Sequence, residues 1–303
     1  MPITYTAVSQ IADADPPLPD GTPSLYLASV ATANATQYLR SLGEGSLTWA
    51  GTMRVSGTAA NPIVVLGEIG SVSLYYSPEG GMRALSAPET TLGNTQIEGG
   101  GPLAANVWYY VYVYTDIASP APAILFQISL TPPHTAGDVG NKGLFKNAAV
   151  APANYRYLGC FPTDGTGNPI PLKAASGVYT YDLLGGPGAT RPAALSPGLS
   201  IIWIPFATAL WVPPHAQRVS MTLTLTPVGG AVGNATGSIR MLAGAGGGYT
   251  VTCGAVVGDA RRGYVEFPVP DNGAGVYGAM EYIIAATAGT PPELFGDITG
   301  YVE

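Results

Sequence analysis

Two histidines, two cysteines and nineteen carboxylates are what this 303-residue chain offers for catalysis. His134 and His215 each follow a Pro-Pro pair, in "TPPHT" and "VPPHAQ". A histidine that serves as general base needs a nucleophile within reach, and neither is accompanied by a G-x-S-x-G turn. Both are read as loop or cap residues. No H-E-x-x-H and no paired C-x-x-C is present, so no zinc site is expected. Cys160 and Cys253 stand far apart and are read as buried thiols, not as a disulfide framework. In "TDGTGN", Asp164, Thr166 and Asn168 alternate as in the first half of a calcium loop. The twelfth position is Ala175, where a glutamate would be required, so the segment is read as a turn. Glu266 and Glu281 are carboxylates of the kind that hydrolyse glycosides in pairs, but no spacing marks them as a pair. No catalytic residue, metal or cofactor is expected, and the chain is read as a non-enzyme. A glycan-active enzyme is the least favoured alternative.

The aromatic residues carry the stronger signal. Tyrosine outnumbers phenylalanine 18 to 6. In "ANVWYYVYVYTD" the period of two places Trp108, Tyr110, Tyr112 and Tyr114 on one face of a strand. Val107, Tyr109, Val111 and Val113 fall on the other. Neither face is polar, so both must be covered. The aliphatic face suits a core. The aromatic face is expected to pack between layers or between subunits, because tyrosine combines an apolar body with a polar tip.

The background to these residues is a chain that is only 10% charged, with a net charge of −7. An average soluble domain is about 25% charged. Such a surface is expected to be covered largely by other copies or other proteins. The three lysines are Lys142, Lys146 and Lys173, and the largest basic cluster is Arg261-Arg262. That is too little to neutralise a phosphate backbone, so nucleic-acid binding is not expected. No window approaches the ~18 apolar residues of a spanning helix. The start, "MPITYTAVSQ", lacks the basic and apolar regions of a secretion signal.

Residues 1 to 20 read as an acidic, proline-rich arm with Asp13, Asp15 and Asp20. A helix is predicted over roughly 23 to 42, with Thr22 as N-cap, Pro23 in the first turn and Gly43 as C-cap. Its narrow stripe of Leu27, Val30, Tyr38 and Leu42 suits packing against sister chains. From Thr48 onward, β-branched and aromatic runs are cut by glycine and proline. In "RVSMTLTLTP", Val219, Met221, Leu223 and Leu225 share one parity and Ser220, Thr222, Thr224 and Thr226 the other, as in a half-buried strand. Residues 184 to 198 read as a linker between two β regions. The fold class predicted is mainly β: antiparallel sandwich or jelly-roll domains with one short N-terminal helix. The domains expected are 1–45 (arm and helix), 46–190 (middle β domain) and 191–303 (C-terminal sandwich).

Two segments are similar to known proteins. "DADPPLPDGTPSLYLASVATANATQYLRSL" resembles the N-terminal segment of phage tail-fibre and related virion proteins, with an acidic start, an alanine-rich helix and a Tyr38-Leu39 pair. "PLAANVWYYVYVYTD…PAILFQISLTPP…NYRYLGCFPTDGTGNPIPL" resembles a segment common in phage tails and fibre-type adhesins. The matching positions there are Leu103, Asn106, Trp108, Tyr109, Tyr112, Arg156, Leu158, Gly159, Thr163, Asp164, Gly167 and Asn168. Together the two segments cover about half of the chain. The family often carries two basic residues before its "lGc", where this chain has Tyr155-Arg156-Tyr157, and the long shaft of full fibres is missing. The resemblance implies a homotrimeric virion protein of the tail-fibre, tail-tip or spike type. Its arm would join other virion proteins, and its distal domain would meet a host glycan or protein. Tyr249, Tyr264 and Tyr277 are the candidate receptor-facing residues. A capsid decoration or head-spike protein without a receptor role is the alternative, and it would bury these tyrosines against neighbours.

Overall fold

The computed structural model describes residues 47–49, 51–76, 81–115, 124–133, 146, 155–182, 193–208, 210–226, 235–241, 249–253, 261–269, 279–286 and 292–303. The helix predicted over 23 to 42, with Leu27, Val30, Tyr38 and Leu42, lies outside these residues, as do His134 and Tyr277. Among the described residues the protein is mainly β, in antiparallel sheets, and its one helical element is a 3₁₀ turn at Asn94–Gln96. No helix of the described residues is long and apolar enough to cross a membrane.

The strands are β1 (Leu47–Trp49), β2 (Thr52–Gly57), β3 (Pro62–Leu66), β4 (Ile69–Tyr76), β5 (Gly81–Ala87), β6 (Thr90–Leu92), β7 (Trp108–Thr115), β8 (Ile124–Ser129), β9 (Tyr155–Pro162) and β10 (Leu172–Ala175). They continue as β11 (Val178–Tyr181), β12 (Ala193–Gly198), β13 (Ile204–Ala207), β14 (Arg218–Thr226), β15 (Ala235–Met241), β16 (Tyr249–Cys253), β17 (Arg261–Pro268), β18 (Ala279–Ala286) and β19 (Glu293–Val302). They group into two compact units. The described residues up to Arg54, of Thr58–Leu103 and of Tyr109–Phe161 form the first; those of Val55–Gly57, Ala104–Trp108 and Pro162–Glu303 form the second.

In the first unit β4 lies between β1 and β5, and β7 lies between β8 and β9. The run "TWAGTMRVS" is two strands and not one. Gly51, at φ 65°, takes the left-handed conformation that glycine alone adopts freely and breaks the extended backbone. Val64 pairs with Leu92, and both are buried with Met53, Leu66 and Ile69.

The second unit has two sheets. One runs β17-β14-β19-β11-β10, with β12 also paired to β19; the other runs β13-β18-β15-β16. Residues 193–198, at the end of the predicted linker, are therefore a strand: Ala193 pairs with Asp297 and Gly198 with Leu294. β14 alternates as its sequence requires, with Val219, Met221, Leu223 and Leu225 buried and the intervening hydroxyl residues half-buried. Its partner β19 carries one extra residue. Met221 faces Ile298 but Ser220 faces Gly300, so Thr299 is unmatched and forms a bulge. The bulge shifts the phase of the strand. Tyr301 thereby lands opposite Val219, on the buried side with Ile298 and Leu294.

Two glycines mark close approaches. A Cβ on Gly237 of β15 would lie 2.8 Å from Leu294 Cδ1 and 3.0 Å from Leu225 Cδ1, so the two sheets meet there. A Cβ on Gly300 would lie 2.1 Å from the Tyr179 carbonyl oxygen of β11, and backbone cannot rotate away. Gly300→Ala is therefore expected to cost roughly 3 kcal/mol in urea unfolding, by overpacking. Gly165→Ala, whose nearest neighbour would be Asn106 Oδ1 at 3.9 Å, is expected to stay within about 0.5 kcal/mol of wild type.

Candidate functional site

The aromatic ribbon is a ladder between two strands of the first unit. Tyr110 lies against Tyr157, Tyr112 against both Tyr157 and Tyr155, and Tyr114 stacks on Tyr155 at 4.8 Å between ring centres and 18° between planes. On the other face of β7, Tyr109 stacks on Phe161 at 5.8 Å. Tyr109, Tyr110, Val111, Tyr112 and Val113 are all buried, so both faces of this stretch are covered within a single chain. The ladder is buried at Tyr110 and Tyr112 and half-buried at Tyr114, Tyr155 and Tyr157.

A polar network continues from the ladder, buried at Ser129 and Lys146 and open to water at Glu98, whose side chain is 43% exposed. The Tyr112 hydroxyl donates to the Thr131 carbonyl at 2.8 Å, and Thr131 N–H donates to Ser129 Oγ at 3.0 Å. The Ser129 hydroxyl donates to Glu98, and Lys146 Nζ donates to Glu98 Oε1 at 2.6 Å and to Gln127 Oε1 at 2.8 Å. Lys146 is 5% exposed, with its ammonium 5.1 Å from the centre of the Tyr155 ring. Burial alone would raise the Glu98 carboxyl. Hydrogen bonds from Lys146 and Ser129, with the lysine's charge, outweigh it and hold the carboxyl below the ordinary glutamate value. Burial, then Tyr114 and Glu98, push the Tyr155 hydroxyl above the ordinary tyrosine value. The sequence reading missed this network. Its one visible trace was a lysine in a chain that has only three.

Trp108 belongs to a second aromatic group, within the second unit. It meets Tyr301 edge-on at 5.7 Å, Tyr301 stacks on Tyr179 at 4.5 Å and 11°, and Tyr181 packs beside Tyr301 and Trp211. The Tyr179 hydroxyl donates to Glu303 Oε2 at 3.0 Å, and His215 Nε2 lies 3.0 Å from Glu303 Oε1. His215 is thus part of a buried packing group, with a side chain 4% exposed.

The other sequence candidates fall into place separately. In the turn after β9, Asp164 Oδ1 accepts hydrogen bonds from Thr166 N–H at 2.8 Å, the Thr166 hydroxyl at 2.7 Å and Asn168 N–H at 2.9 Å. Burial would raise the Asp164 carboxyl, but these bonds outweigh it and lower it. Oδ1 is thus spent closing the turn, while Oδ2 takes only a 3.5 Å contact from Asn168 Nδ2. The turn is fastened by Thr163, whose hydroxyl donates to the Ala104 carbonyl at 2.8 Å. Glu281 is held by Arg240 at 2.6 Å, and Glu266 lies 4.0 Å from Arg218. Cys160 is fully buried as a thiol, and Cys253 falls in β16.

Tyr264 differs from every other tyrosine whose surroundings are described. It is 65% exposed, on β17 at the end of its sheet. Register places it opposite Thr222, with Arg262 opposite Thr224 and Glu266 opposite Ser220; Asp297 lies beyond Thr222. This outer face of the β17-β14-β19 sheet carries hydroxyls and charges, with half-buried Phe295 opposite Thr224. Tyr249 falls in β16.

No family model matches the sequence, and no curated protein does. Among solved structures, the crystal structure of tripeptidyl peptidase 2 (TPP II) is similar over 88% of this chain and 21% of that chain, at 11% sequence identity and a TM-score of 0.24. This chain spans about a fifth of that protein, and a likeness at this score carries no argument about fold or activity.

The Glu98–Lys146 pair gives a paired expectation. Glu98→Ala takes from the buried Lys146 ammonium a carboxylate whose side chain is 43% exposed and should cost roughly 1–2 kcal/mol, whereas Lys146→Met, which removes the buried charge itself, should stay within about 1 kcal/mol. Because folding lowers the Glu98 pKa, its contribution is complete above the ordinary value of 4.5 and fades as pH falls through the lower folded value. The difference in urea midpoint between wild type and Glu98→Gln should therefore be constant near neutrality and shrink below that value.

Proposed function

We propose that this chain is a non-enzymatic structural protein of a virion, of the tail-fibre, tail-tip or spike type, that works as a homotrimer. In this reading the N-terminal arm and helix attach to other virion proteins, and the C-terminal sheets form an antiparallel sandwich that faces the host. The sandwich is supported by the close approach of Gly237 to Leu294 and Leu225. A structural role is supported by where the ionisable side chains lie: Glu98 with Lys146, Glu281 with Arg240, His215 with Glu303, and Asp182 with Lys173 at 3.2 Å.

The observation that carries the host-facing part is Tyr264. A large aromatic left 65% exposed among threonine hydroxyls, Arg262, Glu266 and Asp297 suits a polar ligand such as a surface glycan or a protein loop. A cementing protein would bury that residue against a neighbour, so its coverage in the particle is what separates the two readings. Avidity from several copies would make a weak single contact sufficient.

Antibodies against the C-terminal unit are expected to label the tail or its tip in micrographs of intact particles made by the organism that carries the coding sequence. Labelling of the head alone would give the decoration reading, and no labelling would reject a virion protein. On host cells, Tyr264→Ala should weaken binding about tenfold with unchanged far-ultraviolet circular dichroism; unchanged binding would take the host contact away from this face.

A further inference from the structure

Three side chains of the first unit converge on one nitrogen. Lys146 Nζ lies 2.6 Å from Glu98 Oε1 and 2.8 Å from Gln127 Oε1. An amine, a carboxylate and a neutral carboxamide thus meet: a nucleophile, a proton acceptor and an acyl group. The carbonyl carbon of Gln127 is one bond of about 1.2 Å beyond its oxygen, so it lies no more than about 4 Å from Nζ. Reacting atoms poised for attack stand ~3–3.5 Å apart, which a small turn of the Gln127 side chain supplies. Each of the three is held in place. Gln127 stands opposite Tyr112 in the β7–β8 pairing. Glu98 N–H donates to the Ile128 carbonyl at 2.8 Å, and the Ser129 hydroxyl donates to Glu98 Oε2, which leaves Oε1 to Lys146. The Lys146 side chain is only 6% exposed, so little water reaches its nitrogen.

Electrostatics divides the roles. Burial works against the Glu98 carboxylate, but the hydrogen bonds from Lys146 and Ser129 outweigh it and keep the group ionised. An ionised carboxylate resists a nucleophile and accepts a proton, whereas the Gln127 carboxamide is neutral and open to attack at carbon. We propose that Lys146 and Gln127 condense into an isopeptide bond, with Glu98 as the proton carrier. Nζ gives a proton to Glu98 and, as a free amine, adds to Gln127 Cδ, whose carbonyl electron pair moves onto Oε1. The pair then returns, the Cδ–Nε2 bond breaks, and Nε2 departs. Nζ loses two protons in all. Glu98 passes both to the departing nitrogen, which leaves as ammonium, and the carboxylate is restored. No oxidant, reductant or second substrate enters. The exchange also removes the costly charge: the buried ammonium becomes a neutral amide with one N–H left to donate, while Glu98, 43% exposed, keeps its charge where water can solvate it. The product closes a covalent loop between residues 19 apart, tying β8 to the segment that holds Lys146. It depends on the first unit alone, whatever particle or partner the chain serves.

Mass spectrometry of the full chain after unfolding reads the bond directly. Wild type should be lighter than its sequence by one ammonia molecule. Trypsin cuts after Lys142, between the two residues, so Gln127 and Lys146 should appear in separate peptides unless they are joined. One branched peptide holding both is expected. Gln127→Ala and Lys146→Met should each show the full sequence mass and no branched peptide. Lys146→Met then loses the closed loop as well as the ion pair, so its melting should fall further than removal of the charge alone accounts for. Glu98→Ala keeps both ends of the bond and removes only the proton carrier. It should slow bond formation about a hundredfold or more, whereas a merely structural Glu98 would leave a folded variant forming the bond as fast as wild type. Separate peptides in wild type, with Lys146 open to acetylation after unfolding, would overturn the proposal. So would a wild type lighter by one water with Lys146 joined to Glu98, since the carboxyl would then be the acyl group. Should a variant fail to fold, the peptide map of wild type decides by itself.

Discussion

A strand without a polar face has no side to give to water, and β7 is such a strand from Tyr109 to Val113. Much of the first unit follows from covering it. β8 and β9 flank it, and the tyrosines of β9 answer those of β7 ring by ring. Phenylalanine would fill the same space, but tyrosine brings hydroxyls that must be satisfied once buried. The Tyr112 hydroxyl is satisfied by Thr131, and through Thr131 and Ser129 the chain of polar groups reaches Glu98 and Lys146. A buried lysine is costly in itself. Here it ties Glu98, Gln127 and the Tyr155 ring together, which fixes the arrangement of segments far apart in sequence.

In the second unit the equivalent constraint is a phase shift. A regular β19 would turn Tyr301 away from the side that holds Leu294 and Ile298. The unmatched Thr299 corrects this, so Val219, Tyr301, Tyr179 and Ala174 line up across four strands. That row is buried throughout, and Tyr301 also makes a T-shaped contact with Trp108. The bulge has a steric consequence next door. Gly300 stands against the Tyr179 carbonyl, where no side chain fits. One extra residue and one missing side chain thus set the register of β11 against β19.

What the sequence made legible were the features governed by local period. The alternation of Val219, Met221, Leu223 and Leu225 gave their burial, and the absence of a polar face in β7 gave its coverage on both sides. Features that depend on distant partners stayed hidden. β12 lies in a glycine- and proline-rich stretch that reads as a linker, and it is a strand only because β19 has an edge to offer it. β5 lacks the β-branched density that announces a strand and is held by pairing to β4, and β6 is only three residues long and is held by pairing to β3. Lys146 and Glu98 are 48 residues apart, and His215 and Glu303 are 88 apart, so no spacing could have joined them. The turn at Asp164 was readable because its donors, Thr166 and Asn168, are local.

The two exposed features of the second unit lie on different sheets, and this bears on how they can work together. Tyr264 belongs to the outer face of β17 and β14, opposite the side on which Leu225 meets Gly237 of β15. Leu199, Ile201 and Ile202, all more than half exposed, lead into β13, the end strand of the sheet that contains β15. Covering Leu199, Ile201 and Ile202 therefore does not require covering Tyr264. Their chemistries are also opposed. The first surface is neutral and aliphatic and gains by losing water; the second is lined with hydroxyls and charges that stay solvated until a polar ligand replaces that water. In the proposed reading, where one chain both assembles and recognises, that separation is an advantage, since each surface then disfavours the partner suited to the other.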